Sequence, residues 1–250
     1  MADRSQIEWT DATWNPVTGC TKVSAGCDNC YAERFSERFR GVPGHPFSTG
    51  FDLTLRPERL EQPLAWKKSR MIFVNSMSDL FHKNVPVSYV AQVFDVMERA
   101  DQHVFQVLTK RSSLMRNFVN ARYGTRKTPP HIWLGVSIES PKVLVRLEHL
   151  QQAKASVRFV SFEPLLERIG KLSLEGVDWA IVGGESGHRA RPIKPVWVRE
   201  LRDQCQAQNV AFFFKQWGGR TPKARGNVID GRQWLDFPTH NAWEQTLLLA

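Results

Sequence analysis

Two stretches of the sequence, Val157-Arg-Phe-Val-Ser-Phe-Glu-Pro164 and Trp179-Ala-Ile-Val-Gly-Gly-Glu-Ser186, decide the fold class of this chain. Each begins as a short run rich in β-branched and aromatic residues, and each ends in polar or glycine residues. Runs of this length and composition are typical of strands buried on both faces of a parallel sheet. We therefore expect two parallel strands whose carboxyl ends carry polar side chains.

Similar runs lie on both sides of these two stretches. They cover residues 71–74, 104–108, 132–136 and 210–214, and residues 14–18 give a seventh. Helical patterns over 31–40, 87–100, 112–121, 141–151 and 195–209 lie between the runs. This alternation predicts βα units and an α/β fold with a parallel sheet. Seven units in 250 residues predict a partial or complete (β/α) TIM-like barrel, with a doubly wound open sheet as the alternative.

The units define one barrel domain over residues 1–218, with an insertion at 41–70. The insertion is longer than an ordinary βα connection and contains several prolines, so we interpret it as a lid or substrate element. Residues 219–250 form a tail in which basic residues alternate with Trp234 and Trp243. We expect this tail to cover the barrel or to contact substrate, since such a pattern also suits a nucleic-acid strand.

Composition limits the cellular setting and the partners. The formal net charge is +9, from 34 Lys and Arg against 25 Asp and Glu, which favours a polyanionic partner such as nucleic acid or a nucleotide. No run of 18 apolar residues occurs, the first residues lack the apolar segment of a signal peptide, and only four cysteines are present. These features predict a cytoplasmic protein in a reducing compartment with no membrane partner. The oligomeric state stays open.

Three of the four cysteines, Cys20, Cys27 and Cys30, fall within eleven residues. Thiolates this close on one short loop can be aimed at one point, where they would bind a soft metal. An iron–sulfur cluster fits this spacing. A zinc site completed by His45 or His82 also fits it, as do three unrelated thiols.

Unusual polar residues stand where the predicted strands end. In a (β/α) barrel the chemistry lies on the loops after the strands, so we expect these residues to share one face with the cysteines. The alternative is that strand ends are polar because the chain reaches solvent there. The residues concerned are Asn75, Asp79, Lys110, Arg111, Glu139, Glu163, Glu185 and Lys215.

These motifs together resemble a known family. The chain is similar to the phage and prophage three-cysteine-motif proteins of unknown function and, more widely, to radical S-adenosylmethionine enzymes. The segments that carry the resemblance are 14–20, 27–32, 73–81, 108–111, 161–165, 182–187 and 215–218. The wider resemblance implies a [4Fe–4S] cluster held by Cys20, Cys27 and Cys30, whose fourth iron binds S-adenosylmethionine. It also implies cleavage of that cofactor to a 5′-deoxyadenosyl radical, and the narrower one implies a companion protein.

The sequence departs from the superfamily in ways that affect the cofactor residues. The first gap between cysteines holds six residues, where three are common, and Gly183-Gly184-Glu185 follows the sixth strand rather than the second. We therefore expect the loop with Asn75, Ser76 and Asp79 to meet the methionine end of the cofactor. The resemblance places Ser137 and Glu139 near its ribose or carboxylate, although a helix-capping pair is the alternative. Gly183, Gly184 and Glu185 complete the predicted cofactor set.

The remaining strand-end residues are substrate candidates. Lys110 and Arg111 suit a phosphate or the cofactor carboxylate, with a solvated pair at a helix start as the alternative. Glu163 suits a hydrogen-bond donor of the substrate or cofactor, with an ion pair to Arg158 or Arg168 as the alternative. Lys215, Gln216 and Trp217 place a charge, an amide and a ring on one loop, which suits a base, although Trp217 could equally be core.

The function we expect is radical S-adenosylmethionine chemistry on a nucleic acid or nucleotide. The alternative is a zinc-stapled nucleic-acid-binding or accessory phage protein without radical chemistry.

Overall fold

The computed structural model describes residues 5–221 and 223–238. Helices alternate with strands along the chain. The α-helices are α1 (Tyr31–Glu37), α2 (Val87–Arg99), α3 (Ser112–Tyr123), α4 (Val145–Gln152) and α5 (Pro195–Ala207). The strands are β1 (Ala12–Trp14), β2 (Val17–Thr18), β3 (Thr54–Leu55), β4 (Met71–Val74), β5 (Val104–Thr109), β6 (Ile132–Ser137), β7 (Val157–Phe162), β8 (Trp179–Gly183), β9 (Ala211–Gln216), β10 (Val228–Ile229) and β11 (Arg232–Gln233).

Seven of the strands form one parallel sheet in the order β1-β4-β5-β6-β7-β8-β9. Each strand of this sheet pairs with the one before it in the chain, as consecutive βα units do. The sheet curls into half a barrel, with β1 and β9 at its two ends and no pairing between them among the described residues. The predicted α/β fold is therefore confirmed as a partial barrel, which we call the half-barrel.

Side chains alternate between the two faces of the half-barrel, and both faces are buried. The convex face packs against the helices through residues such as Val107, Leu134 and Phe212. The concave face is filled near the amino ends of the strands by a second, largely aromatic cluster. Trp179 lies at its centre and is fully buried. The ring centroids of Trp133 and Phe213 lie 6.0 and 5.9 Å from that of Trp179. The alternation therefore directs the next residues along each strand into the concavity near the carboxyl ends. We call that edge of the sheet the mouth.

The insertion at 41–70 packs beside the first strands. Its β3 pairs with β2, and the indole nitrogen of Trp14 donates a hydrogen bond to the carbonyl of Arg59 at 2.7 Å. The amide of Cys20 donates to the carbonyl of Phe51, so the insertion also lies next to the cysteines. A role as a lid stays a prediction.

The described part of the tail packs along β9. Residues 234–236 run antiparallel to this end strand, with the amide of Phe214 donating to Trp234 and that of Asp236 donating to Phe212. Trp234 is 8% exposed and lies under the guanidinium of Arg232 at 3.5 Å, so its ring is used in packing. The tail covers an edge of the sheet here, and Trp243 lies outside the described residues.

Strand positions agree with the sequence patterns to within one or two residues, except at residues 14–18. That run divides into β1, which ends at Trp14, and β2, which pairs with the insertion. The predicted helix at 141–151 begins as a 3-10 turn and becomes α-helical only from Val145. No helix of the described residues is long and apolar enough to cross a membrane.

Candidate functional site

The three clustered cysteines lie on a loop that crosses the mouth. This cysteine loop, residues 19–31, continues the pairing of β1 with β4 as far as Gly19, whose amide donates to the carbonyl of Met77. It then contacts residues that follow β5, β6 and β8, before Tyr31 opens α1 beside the end of β4. Four strand ends therefore hold the loop.

At the end of β5, Arg111 connects the loop to Asp79. The Nη1 of Arg111 lies 3.0 Å from the Asp79 carboxylate and 3.3 Å from the sulfur of Cys20, while Nη2 donates to Thr21. Thr109 and the amide of Lys110 also donate to Asp79, so this carboxylate is fully engaged. Burial and the charge of Asp79 raise the pKa of the Cys20 thiol, although Arg111 opposes the shift.

At the end of β6, Glu139 is fully buried and pairs with Arg146 of α4 at 2.9 Å. The same arginine donates to the hydroxyl of Ser24, and the amide of Gly26 points at Glu139 at 3.4 Å. Burial acts to raise the pKa of Glu139, but hydrogen bonding from Ser24 and the charge of Arg146 hold it below its ordinary value. The carboxylate is therefore ionised at neutral pH and holds the middle of the cysteine loop.

At the end of β8, Glu185 also holds the cysteine loop in place. Its carboxylate pairs with Arg191 at 2.7 Å and accepts from the amide nitrogen of Asn29 at 2.9 Å. Arg191 also donates to the carbonyl of Ala25 and to Asp28, both in the cysteine loop. Glu185 and Arg191 thus both form hydrogen bonds with the cysteine loop.

At the end of β4, the hydroxyl of Tyr31 donates to the carbonyl of Ser76. The side chain of Ser76 contacts Asn15, which follows β1, at 3.2 Å. Tyr31 as a whole residue is 54% exposed, whereas burial of its hydroxyl raises the pKa of that group. Helix α1 therefore starts at the mouth with a partly exposed tyrosine.

A family model described as "Protein of unknown function (DUF5131)" matches residues 4–238 of the chain. The chain belongs to this family. No curated protein and no solved structure matches it.

In this DUF5131 protein, Cys20, Cys27 and Cys30 are free thiols of intermediate exposure, and Cys205 is a buried thiol of α5. Within residues 5–221 and 223–238, no group of three or more His, Cys, Asp or Glu side chains is arranged to hold a metal ion. The convergence of the three sulfurs on one point stays a prediction. The donor set still fits an iron–sulfur cluster, because three unpaired thiols are carried by one short loop across the mouth.

The residues expected to hold the cofactor fall into two groups in the DUF5131 protein. Asp79, Glu139 and Glu185 are paired with arginines, as described above. Asn75 is 2% exposed and has a φ of 61°. Within the described ranges, neither its amide nitrogen nor its amide oxygen has a hydrogen-bond partner. A buried amide without partners is costly, so Asn75 is the member of the predicted set with free capacity for a ligand.

Ser137, Gly183 and Gly184 serve the packing of the mouth. The carbonyl of Ser137 accepts from Arg146 at 2.8 Å, and the amide of Gly184 donates to Gln216. A β-carbon built on Gly183 would lie 2.6 Å from an oxygen of Glu163, so the absence of a side chain makes room for that carboxylate. A direct contact of these residues with a cofactor stays a prediction.

Two of the substrate candidates meet inside the concavity. Glu163 and Lys215 form an ion pair of 3.1 Å, with side chains 15% and 22% exposed, and the hydroxyl of Ser161 donates to Glu163. Lys215 is the next inward-facing residue of β9 after Phe213 of the aromatic cluster, and Glu163 directly follows β7. This ion pair therefore lies at the carboxyl ends of two strands, near the mouth.

The other substrate candidates have structural partners. Gln216 is buried and donates to Ser186 at 2.6 Å. The ring of Trp217 packs against Phe214 at 4.7 Å and its indole nitrogen donates to the carbonyl of Val228, which agrees with the core alternative. The amide of Lys110 is used by Asp79, and its side chain is half-buried near Glu139.

The sequence patterns did not predict the residues that form hydrogen bonds with the cysteine loop. Asn29 is more than 150 residues from its partners, and Arg146 and Arg191 each contact the cysteine loop more than 120 residues away, so no local pattern marks these contacts. Only Tyr31, directly after a cysteine at the start of a helical pattern, carried a signal that could have been used.

Proposed function

We propose that this protein is an iron–sulfur enzyme of the radical S-adenosylmethionine type that acts on a nucleic acid or nucleotide. The single observation that carries the proposal is the position of the cysteine loop, which is hydrogen-bonded to the ends of four strands across the mouth of a partial barrel. The carboxyl edge is where barrels of this kind place their reactive groups. Free thiols are common, but a triplet of them held at this edge is not explained by packing.

Cys20, Cys27 and Cys30 would hold three irons of a [4Fe–4S] cluster. When bound, such a cluster supplies one electron to the cleavage of S-adenosylmethionine into methionine and a 5′-deoxyadenosyl radical. The chain's own contribution is to fix the loop through the pairs Arg111–Asp79, Arg146–Glu139 and Arg191–Glu185. Hydrogen bonds and ion pairs to a loop that carries metal ligands orient those ligands.

Asn75 is the residue we assign to a polar group of the cofactor or substrate. Its buried amide can donate and accept at once, as the ammonium and carboxylate of an amino acid require. The Glu163–Lys215 pair, at the carboxyl ends of β7 and β9, would contact the substrate through the carboxylate or the ammonium group.

The proposal is tested by reconstituting the protein with iron and sulfide under anaerobic conditions. Ultraviolet–visible and electron paramagnetic resonance spectra should show a [4Fe–4S] cluster, and a strong reductant should yield 5′-deoxyadenosine from S-adenosylmethionine. Ser variants of Cys20, Cys27 or Cys30 should lose iron, whereas Cys205→Ser, at a buried thiol of α5, should retain it. Colourless protein with one zinc per chain, or a triple Ser variant that still binds iron, would reject the proposal.

One observation favours a second candidate, a zinc-stapled nucleic-acid-binding or accessory protein. His82 is buried and its Nε2 lies 2.8 Å from the hydroxyl of Thr21, next to Cys20. Three cysteines and one histidine are a common structural zinc set. His82→Gln separates the candidates, because it should release zinc from a zinc staple and leave a cluster held by three thiolates in place.

A further inference from the structure

Helix α1 and Arg38, the residue directly after it, carry two exposed aromatic residues and two exposed cations on one face. Tyr31, Arg34, Phe35 and Arg38 follow one another at the spacing of neighbours on a helix surface, and we call them the α1 stripe. Tyr31 is 54% exposed and Phe35 is 43% exposed, although large apolar rings are usually covered. The stripe therefore presents π-faces and positive charge side by side.

The stripe lies at the rim of the mouth. Tyr31 is tied to the end of β4 through Ser76, and the Nη2 of Arg34 donates to the carbonyl of Ser186, beyond β8, at 3.1 Å. A β-carbon built on Gly187 would lie 2.3 Å from the Arg34 guanidinium, so that guanidinium sits directly on the β8 loop. A chain lying along α1 would thus pass beside the cysteine loop.

The positive charges of the α1 stripe are not neutralised by the acidic residues of the same helix. The acidic residues of α1 are already paired, Glu33 with Lys22 and Glu37 with Arg40. Arg38 is exposed and has no ion pair among the residues that the structure describes. With a net charge of +9 on the whole chain, the complementary partner is a polyanion.

The ring of Phe35 is held in place by neighbouring rings. Phe35 packs against Phe39 and Phe47 at 5.2 and 5.6 Å, and His45 stacks on Phe39 at 3.8 Å. A ring fixed in this way loses little freedom when a flat ligand stacks on it. Aromatic rings beside cations are the arrangement by which proteins bind unpaired bases and the phosphates between them.

We propose that the α1 stripe binds a single-stranded polynucleotide, with bases stacked on Tyr31 and Phe35 and phosphates at Arg34 and Arg38. The inference rests on the proposed function in one respect, since it names this polymer as the substrate class. A duplex keeps its bases stacked on one another and offers no free faces to these rings, so it binds more weakly. Because the contacts go to base faces and phosphates, DNA and RNA strands bind alike.

The test measures fluorescence anisotropy of a labelled oligodeoxythymidylate of about 20 nucleotides, longer than the site of a typical single-strand binding surface. Arg38→Glu should weaken binding about tenfold at low salt and reduce the salt slope of log K by about 0.7, the value for one lost phosphate contact on a single strand. Tyr31→Leu and Phe35→Leu should each weaken binding about fivefold or more, as the loss of a stacked base does, with the salt slope unchanged. Arg38→Glu tests the surface without disturbing the fold, because the Arg38 side chain makes no ion pair or hydrogen bond with the residues that the structure describes.

The matched control is Arg126→Glu, at an exposed arginine between α3 and β6, toward the opposite edge of the sheet. It should bind within twofold of the wild type. The inference is overturned if Arg126→Glu weakens binding as much as Arg38→Glu, if the stripe variants bind like the wild type, or if duplex DNA binds more tightly than the single strand.

Measuring oligonucleotide binding and cluster formation on the same protein preparation distinguishes a failure of this inference from a failure of the proposed function. Oligonucleotide binding that depends on the stripe, in protein that forms no cluster, supports the surface and rejects the radical chemistry. A cluster that cleaves S-adenosylmethionine, in protein that does not bind the oligonucleotide, rejects the surface and leaves the enzyme with another substrate.

Discussion

Arg111, Arg146 and Arg191 each pair with a carboxylate that follows a strand of the half-barrel. All three pairs also contact the cysteine loop, at Cys20 or Thr21, at Ser24, and at Ala25. At the scale of single residues, the polar side chains of the mouth therefore act mainly on the loop that carries the thiols. Among the strand-end residues, Asn75 and the Glu163–Lys215 pair form no hydrogen bond or ion pair with this loop in the described part of the chain.

The buried pair of Glu139 and Arg146 gives a prediction for stability. Arg146→Met leaves Glu139 fully buried without its cation, and we expect the free energy of unfolding to fall by about 3 kcal/mol. Urea unfolding measures this loss. The control is Arg168→Met, which breaks the exposed pair with Glu200 and should cost no more than about 1 kcal/mol. Equal costs for the two variants would contradict the assignment of Arg146 as a buried anchor.

The sequence could identify the strand-end carboxylates but not their partners. Glu139 and Glu185 stand directly after apolar runs, so their position at the mouth follows from the strand pattern. Their arginines come from a helix and from an irregular segment, and those contacts depend on how the chain packs in three dimensions. Without the partners, the carboxylates looked free to bind a cofactor.

At the scale of elements, charged residues join neighbouring helices as well as loops. Arg122 of α3 pairs with Glu98 of α2 at 3.0 Å, and the hydroxyl of Tyr123 donates to the same carboxylate at 2.6 Å. Burial acts to raise the pKa of Glu98, but these hydrogen bonds and the charge of Arg122 hold it below its ordinary value. The ionised carboxylate thus stabilises the contact between α2 and α3.

Glu98→Gln should therefore show a pH-dependent loss of stability. A carboxyl whose pKa is lower in the folded state stabilises the fold above its ordinary pKa, and the effect disappears as the pH falls through the folded value. We expect the variant to be less stable than the wild type by about 1 kcal/mol at pH 7, and the difference to shrink as the pH drops below about 4.5. Chemical unfolding over a pH series measures it. A difference that is constant with pH would contradict this role.

Elements were predictable where the hydrophobic period was strong. The run at 71–74 matches β4, and the amphipathic pattern of residues 87–100 matches α2 to within one residue. The run at 14–18 failed as one strand because Val17 and Thr18 turn to pair with the insertion, a contact that the local pattern does not encode.

At the scale of the whole molecule, the half-barrel is filled from both ends of the chain. Trp9 precedes β1 and Phe237 follows β9, yet both rings approach Trp179, at 6.2 and 5.0 Å. Lys223 and Glu8 add an ion pair of 3.1 Å between the same two segments. The concave face is thereby closed near the amino ends of the strands and stays polar near the mouth.

Trp9→Ala tests this closure. Trp9 is 2% exposed and packs against Phe73 at 4.7 Å, so its removal should lower the free energy of unfolding by about 3 to 5 kcal/mol. Urea unfolding followed by far-ultraviolet circular dichroism gives the value. A loss below about 1 kcal/mol would show that the segment before β1 is not part of the folded core.

The most direct test of the account is the low-temperature electron paramagnetic resonance spectrum of reduced, anaerobically reconstituted protein, recorded with and without S-adenosylmethionine. We predict about four irons per chain and a [4Fe–4S] signal that changes when S-adenosylmethionine is added, in the wild type and in Cys205→Ser alike. Cys27→Ser should lose the signal. A signal that S-adenosylmethionine leaves unchanged, or one that survives in Cys27→Ser, would contradict the claim that the cysteine loop holds a cluster with an open iron at the mouth.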